Sequence, residues 1–375
     1  MDLHSRTQPS LHCKKISAQF KKLEHVIFAG FTHEPAIELA ERLLKKLPKN
    51  QKRIFFSDNG STAVEVALKM SFQYWDNKGL SKPKVIAFRN AYHGDTFGAM
   101  SVSERGAFTK PFQSNLFDVI FVDPPLKGKE QASIDRLTST INHQPSTIAA
   151  FIFEPLVQGV AGMVIHEADA LSEMIRICRE NKIFTIADEV FTGFGRTRKF
   201  FATDYLSEKP DMMCLSKGLT GGAMAMGVTS CTEEIFNAFL SEDRMKTFFH
   251  GHSFTANPVA CSASLASMDL MERKETWKNI GRINNMHLKF QKTIGDQLSV
   301  SSRVIGTILA LELETSGETS YFNSIRDKAA KFFLDKGILL RPLGNVIYIV
   351  PPYCISDKDL EYIYGSIKEF IGGLE

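Results

Sequence analysis

What most limits the fold of this chain is a set of short runs, apolar at nearly every position, that recur between residues 53 and 231. They read RIFFSD (53–58), KVIAFRN (84–90), DVIFVD (118–123), IAAFIFEP (148–155), IFTIADEV (183–190), MMCLSK (212–217) and AMGVTSC (225–231). A strand with one wet face alternates apolar and polar residues. A run apolar throughout predicts a strand covered on both faces. Helical stretches separate several of them, as in STAVEVALKMSFQYW (61–75) and ALSEMIRICREN (170–181). This alternation predicts an α/β fold: a large, mostly parallel sheet with helices on both faces. Ligands of such sheets bind beyond the carboxyl ends of the strands. Asp58, Glu154, Asp188 and Lys217 all fall there.

After GHSFTANPVACSASLASMDLMERKE (251–275) the pattern changes. A long helix is expected to lead into a smaller α+β unit. Its expected elements are a helix over 277–297, a strand VIGTILALELE (304–314), a helix over 321–336, a strand-like ILLRPLGNVIYIVPP (338–352) and a final helix over 356–372. The boundary is placed near residue 270, giving a large unit of 1–270 and a small one of 271–375. A chain of 375 residues exceeds what one simple core organises. A net charge of +3 from scattered basic residues leaves no nucleic-acid footprint. No apolar run reaches the ~18 residues of a membrane span, and MDLHSRTQPSLHCKK lacks a secretory signal's apolar centre. The six cysteines, Cys13, Cys178, Cys214, Cys231, Cys261 and Cys354, show no CxxC spacing, which speaks against a zinc ribbon or redox pair. Cys178 and Cys214 lie in apolar segments and are predicted to be buried thiols. That suits a reducing, cytoplasmic setting.

Three stretches carry possible chemistry. In SDNGSTAVEVALKM, Asn59, Gly60, Ser61 and Thr62 form a small-residue turn where a strand meets a helix. A helix N-terminus offers free N–H groups and a positive dipole end, so this is either a phosphate seat or an ordinary N-cap. In NAYHGDTFGAMS (90–101), Tyr92 is suited to stack on a flat ring, while His93 and Asp95 are metal-ligand types without a partner motif. A plain polar loop is the other reading. The third stretch pairs Asp188 with Lys217. A carboxylate buried at the end of IFTIAD costs several kcal/mol unless a cation meets it, and a protonated pyridine nitrogen would serve. Lys217 stands beside Gly218, Thr220, Gly221 and Gly222. A tight pocket of such residues would strip its water and make it an amine nucleophile. An acid for a pyridinium and a lysine for a carbonyl are the two fixed needs of pyridoxal phosphate chemistry.

The motifs IADEVFTGFGRT (186–197) and SKGLTGG (216–222), with NGSTAVEVALK, YHGDT, EPLVQGVAGM and HGHSFTANPVAC in that family's order, resemble the class III pyridoxal-phosphate aminotransferases along essentially the whole chain. EHVIFAGFTHEPAIELAERLL (24–44), FGRTRKFFATDY (194–205) and GILLRPLGNVIYIVPPY (337–353) are similar to one branch. That branch moves an amino group from S-adenosylmethionine to 8-amino-7-oxononanoate in biotin synthesis. The resemblance implies a fold-type I transferase, pyridoxal 5'-phosphate as cofactor, and a homodimer with shared active sites.

By that resemblance Lys217 bonds the cofactor and carries the proton, Asp188 meets the pyridine nitrogen, and Tyr92 stacks on the ring, which makes these three the catalytic set. Gly60 and Ser61 hold the phosphate, and Glu154 supports the ring substituents. His252 and Ser253 reach the phosphate from the second subunit, with Gly251 near the substrate. Arg341 pairs with the carboxylate of the oxononanoate and Tyr348 lines the same pocket. Arg196 stays open between an ion-pair partner and a site residue. Phe191 stands where many relatives place a glutamine, which favours the branch. The family also carries an N-terminal segment that walls its substrate pocket. Residues 1–25 are expected to be its remnant, with His4-Ser5…Gln8-Pro9 for the usual His-Gly…His-Pro. An ω-amino acid:pyruvate aminotransferase, or a cofactor-binding relative with impaired catalysis, are the alternatives left open. The amino donor is open between S-adenosylmethionine and lysine.

Overall fold

Nine strands account for the recurring apolar runs and one small hairpin among them. They are β1 (Gln51–Ser57), β2 (Lys84–Phe88), β3 (Val119–Val122), β4 (Ile148–Phe153), the hairpin β5 (Val157–Gln158) with β6 (Val164–Ile165), β7 (Phe184–Asp188), β8 (Met212–Leu215) and β9 (Gly227–Thr232). The structure is a computed structural model that describes residues 9–144, 146–295, 300–314 and 323–374; His4, Ser5 and Gln8 lie outside them. All but the hairpin form a seven-stranded sheet in the order β1-β9-β8-β7-β4-β2-β3. The neighbours β8, β7, β4, β2 and β3 are parallel. β9 runs antiparallel to both β8 and β1, so β1 again points with the parallel set.

The all-apolar runs explain the layers. Phe88, Phe151 and Phe153 enter one core, and Val85, Ala87 and Ile152 enter another on the opposite face. The Gly60–Asn77 helix covers the second face through Ala63, Val64 and Ala67. The Ala168–Glu180 and Pro258–Met271 helices cover the first through Leu171, Met174, Ala260 and Leu265. Each fully buried phenylalanine contributes on the order of 2–3 kcal/mol. The start of the Gly60–Asn77 helix is fixed by a reciprocal cap. The Thr62 N–H donates to Asn59 Oδ1 at 3.0 Å, and the Asn59 N–H donates to Thr62 Oγ1 at 3.0 Å. Such a cap is worth about 1 kcal/mol.

A second sheet, β10 (Val300–Ile305), β11 (Ile308–Leu313) and β12 (Val346–Ile349), is antiparallel throughout. Leu309, Leu311 and Ile347 pack into the helices Lys274–Gly295, Ile325–Asp335 and Asp357–Gly372 through Ile283, Phe333 and Ile367. Ile308, Ala310 and Val346 face the other way and join the core of the large sheet. This sheet is therefore covered on both sides, like the large one.

Here the structure corrects the sequence expectation. The run 304–314 is not one strand but a hairpin that turns at Gly306 and Thr307. Gly306 has φ +56, and a β-carbon there would come within 2.4 Å of Arg196 O. Only Val346–Ile349 of 338–352 is strand. Pro342 has no N–H to offer a ladder, Gly344 adopts φ +60, and a Leu343–Val346 bridge closes the turn between. The helix expected over 277–297 begins at Lys274, and residues 296–297 lie outside the described residues. The helix expected over 321–336 begins at Ile325, with residues 321–322 outside them. Cys178 and Cys214 are buried, as are Cys231 and Cys261. Among the described residues no helix is long and apolar enough to cross a membrane.

Candidate active site

Strand order brings the carboxyl ends of β8, β7, β4 and β2 side by side, and those ends carry Lys217, Asp188, Glu154 and Tyr92. Asp188 pairs in register with Cys214, and Lys217 lies three residues beyond that cysteine. The acid and the amine thus close two adjacent parallel strands.

Asp188 is 5% exposed. Its Oδ2 lies 2.7 Å from His93 Nδ1, and its Oδ1 accepts the Val190 N–H at 3.1 Å. A carboxylate only accepts, so the His93 proton sits on Nδ1 and is donated. His93 is buried too, and its main-chain N–H donates to Ser103 Oγ at 2.9 Å. Its Nε2 is buried with no partner among the described residues. The sequence marked His93 only as a metal-ligand type; the structure places it against Asp188 instead. The one available signal was its place beside Tyr92 at the end of an apolar run. The other metal-ligand type there, Asp95, accepts the Tyr92 hydroxyl at 2.9 Å.

Glu154 Oε1 accepts the Tyr92 N–H at 3.1 Å, and Oε2 accepts the Gly159 N–H at 2.9 Å. Burial pushes its carboxyl up to about 7; the nearby Asp188 charge adds to this, while His93 and the two N–H groups oppose it. Burial also holds the Tyr92 hydroxyl above its ordinary range, helped by the bond to Asp95. The Arg341 charge works the other way on Tyr92, so Arg341 is within electrostatic reach of it. Glu189 is fully buried and serves the other side of the strand end. It accepts the Thr192 hydroxyl at 2.6 Å and the N–H groups of Ala202 and Thr203 at 3.1 and 2.7 Å. Burial pushes it, too, up to about 7.

The first turn of the Gly60–Asn77 helix forms a close cradle. A β-carbon on Gly60 would come 2.7 Å from Val190 Cγ1, and one on Gly227 would come 2.2 Å from Asn59 O. Gly94 has φ +132, and its β-carbon would fall 2.0 Å from Ser61 Oγ. Ser61 Oγ accepts the Asp95 N–H at 3.2 Å. This ties the cradle through Asp95 and Tyr92 to Glu154. Phe191 lies alongside, 3.3 Å from where a β-carbon on Gly159 would stand.

Lys217 departs from expectation. It opens the short 3-10 turn Lys217–Thr220 with φ +43, and its side chain is exposed rather than enclosed by small neighbours. The reason is local. Gly218, Leu219 and Thr220 turn into the core, where Ser267 Oγ donates to Gly218 O at 3.0 Å, and this leaves the lysine outward. Its Nζ stands 5.7 Å from the centre of the Phe191 ring.

Of the other expected residues, Arg341 is exposed and Tyr348 is half-buried on β12 against the main core. Gly251, His252 and Ser253 are exposed, and His252 Nε2 lies 3.9 Å from Asp58 Oδ1 of the same chain. Arg196 is wholly buried away from this group. It donates to Thr307 Oγ1 at 2.9 Å and Pro351 O at 3.1 Å and lies over the Tyr353 ring. These contacts join the GFGRT loop to the second sheet.

With this geometry in hand, the chain was compared with known proteins. The family model described as class III aminotransferase matches residues 7–371. An adenosylmethionine-8-amino-7-oxononanoate aminotransferase from Synechococcus elongatus is 43% identical, over 95% of this chain and 85% of its own length. One of the same name from Geobacter sulfurreducens is 36% identical, over 96% and 84%. The crystal structure of the enzyme of that name from Methanocaldococcus jannaschii superposes with a TM-score of 0.92 at 34% identity, over 98% of this chain and 85% of that one. An amine transaminase from an uncultivated Pseudomonas species, in its PLP-bound form, gives a TM-score of 0.92 at 27% identity, over 99% and 88%.

Proposed function

This chain belongs to the class III aminotransferases, and on that premise we propose that it transfers the amino group of S-adenosylmethionine to 8-amino-7-oxononanoate, giving 7,8-diaminononanoate in biotin synthesis. The observation that carries the reading is the acid and the amine on adjacent strand ends beside a glycine cradle. The likeness to relatives bearing that name across nearly the whole chain supports the substrate pair. The cofactor is pyridoxal phosphate. When bound, it supplies an aldehyde for the amine and a ring that stores the electron pair released at the donor carbon.

The residues present fit that group. Gly60 and Ser61 would hold its phosphate, at a helix first turn whose N–H groups lack helical acceptors and whose dipole end is positive. The three glycines let Val190, Asn59 and Ser61 pack closely around that turn. Asp188 would meet the pyridine nitrogen, with His93 fixing the plane of the carboxylate. Lys217 would bond the aldehyde at rest, then take the proton from the donor carbon and return it to the acceptor carbon. Its exposure in the single chain leaves Nζ free to reach over that ring. Tyr92 would lie on the ring face, held through Asp95, and Glu154 would support the ring's substituent side. Arg341 would pair with the acceptor carboxylate, a two-pronged task suited to a guanidinium, and Tyr348 would line the same pocket.

The reading includes a homodimer in which Gly251, His252 and Ser253 complete the second subunit's site. Exposed Phe20, Phe31, Phe249 and Phe254 support an apolar interface on that side, where the His25 and Phe254 rings meet at 5.2 Å. It also includes the two-unit division near residue 270 and a cytoplasmic setting. The test is a steady-state assay of purified protein with competing acceptors. Transfer to the oxononanoate must exceed transfer to pyruvate by a wide margin; equal or better use of pyruvate, or no turnover with any amine donor, would sink the assignment.

A further inference from the structure

The β5–β6 hairpin is too short to hold its own shape, since two strands of two residues are marginal in water. It is also strained, with Leu156 and Met163 at φ +64 and +58. Beside the Gln158 Nε2 bond to Arg89 O at 2.8 Å, two anchors from opposite parts of the molecule hold its turn. Where its turn begins, the Gly159 N–H donates to the buried Glu154. At its tip Arg303, on β10 of the second sheet, donates from Nε and Nη2 to Gly162 O at 3.1 and 2.6 Å and from Nε to Met163 O at 3.1 Å. The same guanidinium meets Glu312 Oε2 through Nη1 at 2.8 Å. Gly162 has φ +88, and a β-carbon on it would press to 3.1 Å from Val346 Cγ2. The tip therefore lies directly against the second sheet.

Register gives this latch a direction. Arg303 stands opposite Ala310, and Ala310 stands opposite Tyr348. Residues directly opposite in an antiparallel ladder point to one face. Arg303 and Tyr348 therefore share the face that meets the large sheet. From the start of that turn, contacts run to Phe191 beside Gly159 and, through Glu154, to the Tyr92 N–H.

We propose that Arg303 is a positioning residue: its guanidinium latches the hairpin tip to the sheet face that carries Tyr348, and so fixes one wall of the acceptor site. The acceptor half of this inference rests on the reading of Tyr348 and Arg341 given above. A lysine at 303 keeps the charge toward Glu312 but cannot span two carbonyls and a carboxylate at once.

The experiment compares holoenzyme carrying Arg303→Met or Arg303→Lys with wild type. Hydrogen exchange of the peptide covering 157–165 is expected to quicken by about tenfold or more in Arg303→Met, with β4 and β7 unchanged. In the same protein KM for the oxononanoate is expected to rise about tenfold while kcat stays within about twofold, the signature of lost positioning of a bound group. The absorbance of the bound cofactor is unchanged, and Arg303→Lys falls between and guards against a variant that does not fold. Unchanged exchange in the hairpin overturns the latch. A uniform fall in kcat and melting temperature at constant KM overturns the positioning role. Should wild type fail to use the oxononanoate, the functional reading falls, and the exchange measurement, which needs no substrate, still decides the latch.

Discussion

Asp188 and Glu189 are neighbours in sequence, both acids and both buried, and they do different work. Asp188 takes one partner from elsewhere, the imidazole of His93 on a loop two strands away, and one, the Val190 amide, from its own following loop. Glu189 takes three donors from Thr192, Ala202 and Thr203, all within its own following loop. One acid is held open toward the carboxyl ends of the strands; the other is closed around by the chain that follows it. On the reading proposed above, residue type and burial do not separate the site acid from the structural one, whereas the remote imidazole does.

The contrast can be broken or sharpened in order of effect. Lys217→Ala is expected to lower transamination by roughly 10⁴-fold, because proton transfer at the donor carbon loses its carrier. It should also remove the covalently held chromophore after dialysis, and a surviving visible band would exclude Lys217. Asp188→Asn keeps the shape but not the charge, and is expected to slow turnover by about 10²- to 10³-fold with little change in melting temperature. Glu189→Ala is expected to do the reverse. It strands two buried N–H groups and a hydroxyl, so chemical denaturation should show a loss of about 3 kcal/mol or more, while protein that remains folded still binds cofactor. If Glu189→Ala left stability unchanged and abolished cofactor binding, the division between the two acids would be wrong.

The smallest effect is in pH. The folded Glu189 carboxyl, at about 7, holds its proton more tightly than the ordinary 4.5 of an unfolded chain. Its contribution to stability is therefore full below about pH 4.5 and is lost as pH rises to about 7. Glu189→Gln removes that titration. The difference in melting temperature, wild type minus variant, should fall across this window and stay flat outside it. Buried His166 and His287, held down to about 3 and about 4 by burial, act with the opposite sign but cancel in the difference. A difference that is flat throughout would mean that Glu189 stays ionised in the fold.

The large sheet was legible because its strands are covered on both faces, which writes an unbroken apolar run for each. The placement of Asp188 and Lys217 at strand ends was legible for the same reason, since a charge that ends such a run stands out. What escaped has a physical cause. The bond from His93 to Asp188 depends on β2 and β7 both lying beside β4, an order the sequence does not write. The split of 304–314 at Gly306 was hidden because both arms are apolar, and the turn exists to dock on Arg196 O. The run 338–352 is apolar yet mostly irregular, because Pro342 and Gly344 interrupt it. Lys217 was expected to be enclosed by its small neighbours, but those residues turn into the core and leave it outside.

The backbone of Lys217 carries a last consequence. At φ +43 a side chain costs on the order of 1 kcal/mol that glycine does not. Lys217→Gly should therefore melt above Lys217→Ala, although both are inert. A duplicated copy of this chain, freed from its reaction and left to drift toward durability, would find one of its easiest gains by discarding the lysine. If Lys217 has the role proposed above, lysine at this dihedral marks a position where durability was yielded to catalysis.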